Sequence, residues 1–204
     1  MSLPNFFQDV DHLEQVMSAP SEELSKELSE LEGDILILGV GGKMGPTLAR
    51  MAKLAAPQKR IIGVARFSEP GLQARLSAYG IECISCDLLS REALAALPEV
   101  ANVVFMAGRK FGSQGSEWLT WAMNTHLPAL VAERYKSSRI VAFSTACVYP
   151  FVSVQGPGAH ESLAPTPVGE YANSCVGRER MFEHFSHQYQ TPGRLIRLSY
   201  AIDM

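Results

Sequence analysis

The chain has 204 residues, of which 47% are hydrophobic and 19% are charged, and its formal net charge at pH 7 is −3. This composition is ordinary for a globular domain with a well-buried core. Lys and Arg form no cluster or stripe, so neither nucleic acid nor an anionic membrane surface is an expected partner. The apolar runs are too short to span a bilayer, which argues against an integral membrane protein.

The N-terminus and the cysteines indicate a reducing compartment. The first residues carry acidic side chains early and lack the basic and apolar segments of a signal peptide. We therefore expect a cytoplasmic protein whose Cys83, Cys86, Cys147 and Cys175 are free thiols. Cys83 and Cys86 have C-x-x-C spacing, but no second pair completes a metal site, and residues three apart in a strand point to opposite faces. No metal is expected.

Residues 1–33 are expected to form a helical arm that precedes the main domain, residues 34–204. Apolar residues from Val10 to Met17 share one helical face, and Pro20 interrupts the pattern. Ser21 is a typical N-cap for a second helix with acidic residues in its first turn. Because the other face of the arm is polar, we expect it to cover the sheet edge as a lid or to pack on a partner.

The segment from Asp34 to Ala55 predicts a strand, a glycine turn and a helix in that order. Four apolar residues, Ile35 to Leu38, read as a buried strand, and apolar residues recur at helical spacing from Leu48 to Ala55. Between them lie Gly39, Gly42 and Gly45, spaced G-x-x-G-x-x-G. This order is typical of the first βαβ unit of a dinucleotide-binding domain, although its spacing differs from the common G-x-G-x-x-G.

Each glycine of this turn has an expected role in cofactor binding. Gly39 permits the tight turn, Gly42 lets the backbone approach a pyrophosphate, and Gly45 lets the helix pack on the strand. The helix N-terminus then supplies free N–H groups and the positive end of its dipole to the phosphates. Lys43 and Met44, which lie within the turn, belong to the same predicted site.

Five further strands alternate with helices along the rest of the chain. Most of the strands are continuous apolar runs, which is typical of a parallel sheet covered on both faces. We therefore predict an α/β fold with a doubly wound parallel sheet of Rossmann type and strand order 3-2-1-4-5-6. The predicted strands after the first span residues 60–67, 81–88, 102–108, 139–145 and 194–200, and the helices between them span 71–80, 92–97, 118–135 and 170–189.

Residues at the ends of the next strands are candidates for contacts with a dinucleotide. Arg66 follows the second strand, where an Arg suits the 2′-phosphate of NADP and an acid would suit NAD. The expected cofactor is thus NADP or NAD, with NADP favoured. Asp87 and Leu88 follow the third strand, and Asp87 is placed to accept from the adenine amino group. Ala107 and Gly108 end the fourth strand, where small residues let the cofactor pass closely.

A hydroxyl and a phenol form the candidate catalytic pair. Ser144 and Thr145 end the fifth strand, and Tyr171 opens the following helix. A Ser or Thr hydroxyl and a Tyr phenol that converge on a nicotinamide ring can transfer protons between alcohol and carbonyl forms of a substrate.

These segments together resemble the extended short-chain dehydrogenase/reductase superfamily, within it the NAD-dependent epimerase/dehydratase group that acts largely on nucleotide sugars. The resemblance implies the G-x-x-G-x-x-G turn, a catalytic Thr145, and Tyr171 as acid, base and cofactor contact. It also implies that Asn124 supports the fourth helix and a proton-relay water. The segments that carry the resemblance are GVGGKMG at Gly39, CDL at Cys86, FMAG at Phe105, Asn124, FSTACVYP at Phe143 and EYANSC at Glu170.

The sequence departs from the family pattern at Cys175. The family has Y-x-x-x-K, and a lysine four residues after Tyr171 would lie on the same helix face, lower the pKa of the phenol and bond the nicotinamide ribose. Cys175 does neither. Arg178 lies almost two turns from Tyr171 and is out of register, whereas Lys110, in the loop after the fourth strand, is an alternative source of charge.

A second departure is length, because the family's C-terminal substrate domain has no counterpart in residues 1–204. We expect either a reduced protein or part of a longer one, with an open cleft bounded by the loop 150–169, which a second copy would cover in a homodimer. Two functions follow: an epimerase, dehydratase or reductase acting on a small nucleotide-sugar-like substrate, with activity impaired by Cys175, or a non-catalytic dinucleotide-binding sensor or assembly protein.

Overall fold

A computed structural model describes residues 4–199 and contains one six-stranded sheet with strand order β3-β2-β1-β4-β5-β6. The pairs β1–β2, β1–β4, β2–β3 and β5–β6 are parallel. The strands are β1 (Ile35–Leu38), β2 (Ile61–Ala65), β3 (Glu82–Ser85), β4 (Asn102–Phe105), β5 (Arg139–Thr145) and β6 (Gly193–Leu198). The predicted doubly wound α/β fold and its strand order are confirmed.

Helices connect the strands and precede the first of them. The last one, α8, is the longest helix in the described residues. The helices are α1 (Val10–Met17), α2 (Glu22–Glu30), α3 (Gly45–Ala55), α4 (Leu72–Ala78), α5 (Arg91–Ala95), α6 (Glu117–Trp121), α7 (Leu127–Arg134) and α8 (Gly169–Tyr189). No helix within residues 4–199 has the length and apolar character that crossing a membrane requires.

The described residues form two compact units. The first comprises residues 4–87 and 97–106, and the second comprises residues 88–96 and 107–199. In the first unit, β1 is buried along its whole length between β2 and β4 and meets the apolar face of α3. In the second unit, residues of α7, β5 and α8 such as Val131, Ile140 and Phe182 are buried.

Four predicted strands are longer than the observed ones. The sixth, predicted over residues 194–200, ends at Leu198, and residue 200 lies outside the described residues. The ladders stop at Ala65, Ser85 and Phe105, and after β2 the chain turns through Phe67, whose φ of +48° is left-handed. Buried residues continue past the ladders, Cys86 after β3 and Ala107 after β4. The apolar pattern therefore predicted strands that are too long, because apolar residues indicate burial and do not indicate hydrogen bonding between strands.

The end strands also differ from the expectation of a sheet covered on both faces. Neither β3 nor β6 has a fully buried residue, whereas β1 and β2 are buried throughout. Each end strand has a neighbouring strand on one side only, so its residues remain partly exposed. The apolar composition of these strands does not reveal this position in the sheet.

The N-terminal arm packs on α3 in the first unit. Asp9 caps α1 by accepting from the His12 amide, and Ser21 caps α2 by accepting from the Leu24 amide at 3.1 Å. The Thr47 hydroxyl of α3 donates to Glu14 of α1 at 3.0 Å. Leu28 of α2 packs against the apolar core of the unit. The arm therefore packs on the first unit as a layer on α3.

The helix predicted over residues 118–135 is interrupted by a π-helical turn. The turn spans Ala122–His126 and separates α6 from α7. Pro128 occupies the first turn of α7 and has no N–H to donate to the carbonyl of Asn124 four residues earlier, so regular α-helical bonding fails there. Turns of this kind often lie at functional sites, and this one contains the predicted site residue Asn124.

Candidate functional site

The glycine turn of the first unit is stabilised by backbone hydrogen bonds. Gly39 has a φ of +90°, which is favourable for glycine alone, and its amide donates to the Val64 carbonyl at 2.9 Å. The Gly42 amide donates to the Gly39 carbonyl, and the Gly45 amide donates to the Gly42 carbonyl, each at 3.1 Å. The turn therefore has a defined shape before any ligand binds.

Gly42 and Gly45 differ in what a side chain would meet. A Cβ at Gly42 would have only the Gly39 carbonyl oxygen nearby, at 3.5 Å, which is an ordinary contact. A Cβ at Gly45 would lie 2.6 Å from the carbonyl carbon and 2.7 Å from the Cα of Val40. The absence of a side chain is thus required for packing at Gly45, whereas at Gly42 it leaves open space beside the turn.

The N-terminus of α3 is suited to hold an anion beside this turn. Within residues 4–199 no side chain caps this helix. Gly45, its first residue, already donates to the Gly42 carbonyl, and Pro46 has no N–H, so Thr47 has the first amide that an anion could use. Met44 occupies the N-cap position, and Lys43, which precedes it, is exposed. Open space at Gly42 and the uncapped N-terminus of α3 fit a pyrophosphate group, whose oxygens accept hydrogen bonds from backbone amides.

The other predicted cofactor residues are divided between the units. In the first unit, Arg66 and Asp87 are exposed in the turns that follow β2 and β3. In the second unit, Leu88 and Ala107 are buried. Gly108 is exposed on one side, and on the other a Cβ would lie 2.5 Å from the Arg178 guanidinium, so its small size is required by packing as well.

The second unit brings together Thr145, Tyr171 and Cys175. Thr145 ends β5 and accepts a hydrogen bond from the Cys147 amide at 3.2 Å. Tyr171 lies in the first turn of α8, and its phenol is close enough to Thr145 and Cys175 for both side chains to affect its pKa. Cys175 is fully buried one turn further along the helix. The structure therefore brings the hydroxyl and the phenol that the sequence predicted close together.

The environment of this pair favours a neutral phenol. Burial, with the neighbouring Cys175, raises the pKa of Tyr171 to about 12, although the nearby Thr145 hydroxyl and the charge of Arg178 act in the opposite direction. Burial also raises the pKa of the Cys175 thiol. Near neutral pH both groups are protonated, so Tyr171 is arranged to donate a proton and is poorly prepared to accept one.

Asn124 links three parts of the second unit. Its amide group donates to the Arg109 carbonyl at 2.8 Å and to the Ser174 hydroxyl at 3.0 Å, and its oxygen accepts from the Arg109 amide at 2.8 Å. The residue is fully buried. It therefore fixes the loop after β4 to the π-helical turn and to α8, while its oxygen accepts a further bond from Arg178.

Arg178 carries a buried positive charge beneath the pair. One of its guanidinium nitrogens donates to the Phe143 carbonyl of β5 at 2.7 Å, and another donates to Asn124 at 2.8 Å. The side chain is 7% exposed, and burial lowers its pKa. The sequence placed this residue out of register with Tyr171, but its buried charge lowers the pKa of both Tyr171 and Cys175.

Tyr171 lines an open cleft of about 550 Å³ in the second unit. Both ends of the loop 150–169 contribute to the wall, Pro150 and Phe151 at one end and Val168 at the other. Lys110 also lines it, with its ammonium 5.8 Å from the centroid of the Tyr171 ring. The cleft agrees with the open site that was expected beside this loop.

A second buried network supports the end of β5. The Ser144 hydroxyl donates to the carboxylate of Glu179 at 2.6 Å, and Arg197 of β6 donates to the same carboxylate at 2.8 and 2.9 Å. The Arg197 guanidinium also lies 4.9 Å from the centroid of the Tyr149 ring, which lines the cleft. The Glu179 carboxylate thus ties β5 to β6, and the Arg197 contact reaches the wall of the cleft.

Arg178, Glu179 and Tyr149 lie at or beside the site, although the sequence did not predict them as site residues. The spacing of Tyr171, Ser174 and Arg178, three and seven residues apart, is that of one helix face and was the available signal. For Glu179 the signal was weaker, because a carboxylate between Arg178 and Arg180 is typical of a solvated helix surface.

Solved structures with the same fold include three enzymes of nucleotide-sugar metabolism. UDP-glucuronic acid 4-epimerase from Bacillus cereus, in complex with NAD, is 19% identical with a TM-score of 0.66, over 81% of this chain and 56% of that chain. The UDP-Glc/GlcNAc 4-epimerase of Campylobacter jejuni is 21% identical with a TM-score of 0.71, over 80% of this chain and 52% of that one. DesIV, a dTDP-glucose 4,6-dehydratase from Streptomyces venezuelae, is 19% identical with a TM-score of 0.69, over 80% of this chain and 55% of that one.

These similarities establish the fold, and the chain spans about half the length of each of these structures. No curated protein sequence matches the chain significantly. The sequence model of the NAD dependent epimerase/dehydratase family matches residues 35–202, which include the glycine turn, Thr145 and Tyr171. The chain therefore belongs to the NAD dependent epimerase/dehydratase family.

Proposed function

We propose that the chain binds a nicotinamide dinucleotide and takes part in an epimerase, dehydratase or reductase reaction on a hydroxyl or carbonyl carbon of a nucleotide sugar or a similar substrate. The observation that carries the proposal is the proximity of Thr145 to Tyr171, whose side chain lines an open cleft. The names of the similar structures, which act on UDP- or dTDP-linked sugars, support the substrate class.

Different residues of this chain would bind the cofactor and act on the substrate. The amides of α3 and the open side of Gly42 would hold the pyrophosphate, and Lys43, Met44 and Gly45 would shape the turn around it. A nicotinamide group, when bound, supplies oxidation or reduction at a carbon that carries oxygen. Thr145 would hold that oxygen by a hydrogen bond, and Tyr171 would exchange a proton with it.

The direction of proton transfer follows from the pKa of Tyr171. With a pKa of about 12, about one phenol in 10⁵ is ionised at pH 7. The neutral phenol donates readily to the oxygen of a substrate carbonyl, whereas removal of a proton from a substrate hydroxyl needs the rare phenolate. We therefore propose that carbonyl reduction is faster than alcohol oxidation in the chain as it stands.

Turnover with a Tyr171→Phe variant tests this function. We expect the unmodified chain, supplied with reduced or oxidised cofactor and a panel of UDP- and dTDP-linked sugars, to give slow turnover that Tyr171→Phe lowers by about 10² or more, because general acid–base catalysis contributes at least this much. Product formation is followed by chromatography and cofactor oxidation by absorbance. Tyr189→Phe, at the far end of α8, is the matched control. Equal rates for Tyr171→Phe and the unmodified chain would contradict the assignment.

Cofactor choice is tested at Arg66. We propose that NADPH binds more tightly than NADH, because the exposed guanidinium after β2 can pair with a 2′-phosphate. A charge-assisted contact contributes about 1.5 to 3 kcal/mol, so Arg66→Ala should lower NADPH affinity at least about tenfold and leave NADH affinity unchanged. Calorimetric titration measures both. Arg75→Ala, which removes an exposed arginine from α4, is the control. Equal affinities of the unmodified chain for the two cofactors would rule out the preference.

A second function is favoured by one specific observation. Cys175 stands where the family has a lysine, and the Tyr171 pKa is raised and not lowered. A chain with this site could bind a dinucleotide without catalysis and act as a cofactor sensor or as an assembly partner. Tight cofactor binding, together with no turnover of any substrate by either the unmodified chain or Cys175→Lys, would favour this function over the first.

A further inference from the structure

The Tyr171 phenol has one buried cation on its own helix face. Seven residues make nearly two turns of an α-helix, so Arg178 returns to the face of Tyr171 and Cys175. The guanidinium is held between α8, the Phe143 carbonyl of β5 and the Asn124 oxygen of the π-helical turn. It is therefore fixed in position, unlike the ammonium of an exposed lysine.

We infer that Arg178 is a positioning residue for Tyr171, which supplies from the buried side of α8 the positive charge that a lysine at the position of Cys175 would supply. The inference rests on the proposed acid–base role of Tyr171. It concerns charge alone: the guanidinium is committed to Phe143 and Asn124, so it does not replace the contact that a lysine would make with a ribose.

Burial makes this charge effective over a longer distance. A charge in the protein interior is screened much less by water and salt than one at the surface. A positive charge favours the ionised forms of a phenol and a thiol, and the charge of Arg178 accordingly lowers the pKa of Tyr171 and that of Cys175. Burial of the phenol still dominates, so the Tyr171 pKa stays above its ordinary value, and removal of Arg178 should raise it further.

Lys110 is the competing source of charge. Its ammonium lies 5.8 Å from the Tyr171 ring centroid and 5.6 Å from that of Phe111, in an exposed loop. An exposed charge at this distance is weakened by solvent and by salt. The remaining titratable or charged groups that face Tyr171, Cys175 or the cleft are Glu117, Cys147, Tyr149, Glu170 and Glu179.

Titration of the phenol in the protein without cofactor tests the inference. Difluorotyrosine placed at position 171 titrates several units below tyrosine and can be followed by fluorine NMR. We expect Arg178→Gln, which removes the charge and retains an amide donor, to raise the pKa at position 171 by about one unit or more. Arg178→Lys should keep most of the original value. Arg180→Met, which removes an exposed arginine of the same helix, should leave the pKa unchanged.

Two outcomes would overturn the inference: an unchanged pKa in Arg178→Gln, or a larger shift in Lys110→Met. If the Arg178→Gln protein does not fold, salt dependence in the otherwise unmodified protein decides. Charge from buried Arg178 predicts a pKa that is nearly constant between low and high salt, whereas charge from Lys110 predicts a rise as salt is added. Neither measurement needs cofactor or substrate. The inference about Arg178 can therefore hold even if no turnover is found, and turnover can be found even if the inference about Arg178 fails.

Discussion

Gly42→Val is expected to abolish dinucleotide binding while the chain stays folded. The valine side chain would fill the open space beside the Gly42 backbone, which is where the proposed pyrophosphate approaches the turn. We expect affinity to fall by a hundredfold or more, about 3 kcal/mol. The fold should tolerate the change, because a Cβ there meets only the Gly39 carbonyl oxygen at 3.5 Å and Gly42 is not in the left-handed region.

Gly45→Val provides the contrast. Its side chain would collide with the backbone of Val40, so this variant should lose stability as well as binding. Calorimetric titration with NADH and NADPH, together with thermal unfolding, separates the two effects. Unchanged cofactor affinity in folded Gly42→Val would show that this turn does not bind the pyrophosphate. A Gly42→Val protein as unstable as Gly45→Val would show that Gly42 has a packing role instead.

Cys175→Lys is expected to tighten cofactor binding and to lower the pKa of Tyr171. An ammonium one helical turn from the phenol favours its ionised form, and an opposite charge at such a distance typically shifts a pKa by about 1 to 3 units. From a value of about 12, this brings the Tyr171 pKa to about 9 to 11. The lysine would also bond the nicotinamide ribose, which should strengthen binding by about 1.5 kcal/mol or more.

The pH dependence follows from the sign of this shift. A base acts in its deprotonated form, so alcohol oxidation through Tyr171 rises with pH until its pKa is reached. Lowering that pKa moves the rise to lower pH, and each unit increases the phenolate fraction near neutrality about tenfold. Turnover in the oxidation direction should therefore increase, and its pH optimum should move downward. The rate of carbonyl reduction, which uses the neutral phenol, should increase less.

Cys175→Met is the matched control, because it adds length at a fully buried position without charge. If both variants bind cofactor more weakly than the unmodified chain, the pocket around Cys175 has no room for a longer side chain. If the unmodified chain already turns over at the rate of Cys175→Lys, another group supplies the charge. Comparison of Lys110→Met with the Arg178 variants would then identify it.

Several features of this protein were determined by the sequence alone. The limits of β1 and β5 were predicted residue for residue, because turn residues or charges bound the apolar runs there. The strand order was predicted too, because strands alternating with helices leave few topologies for a doubly wound sheet. Thr145 and Tyr171 were predicted to converge from the end of β5 and the start of α8, and the structure places both residues in the second unit.

Other features were decided only by the tertiary structure. Hydrophobic runs continue beyond the ladders of β2, β3 and β4, since burial and strand pairing are separate properties. The exposure of β3 and β6 depends on their places at the ends of the sheet. The π-helical turn arises from a proline in a helix that periodicity alone reads as continuous.

The electrostatics of the site were also decided only by the tertiary structure. Counting residues along α8 placed Arg178 too far from Tyr171 to matter. Its effect depends on burial and on the partners that fix it, the Phe143 carbonyl on a strand and the Asn124 oxygen in a turn, both distant in sequence. The effect of a charge depends on the dielectric around it, and side-chain packing determines that dielectric. Spacing along the sequence therefore identifies the charged residue but does not show how far its charge affects other groups.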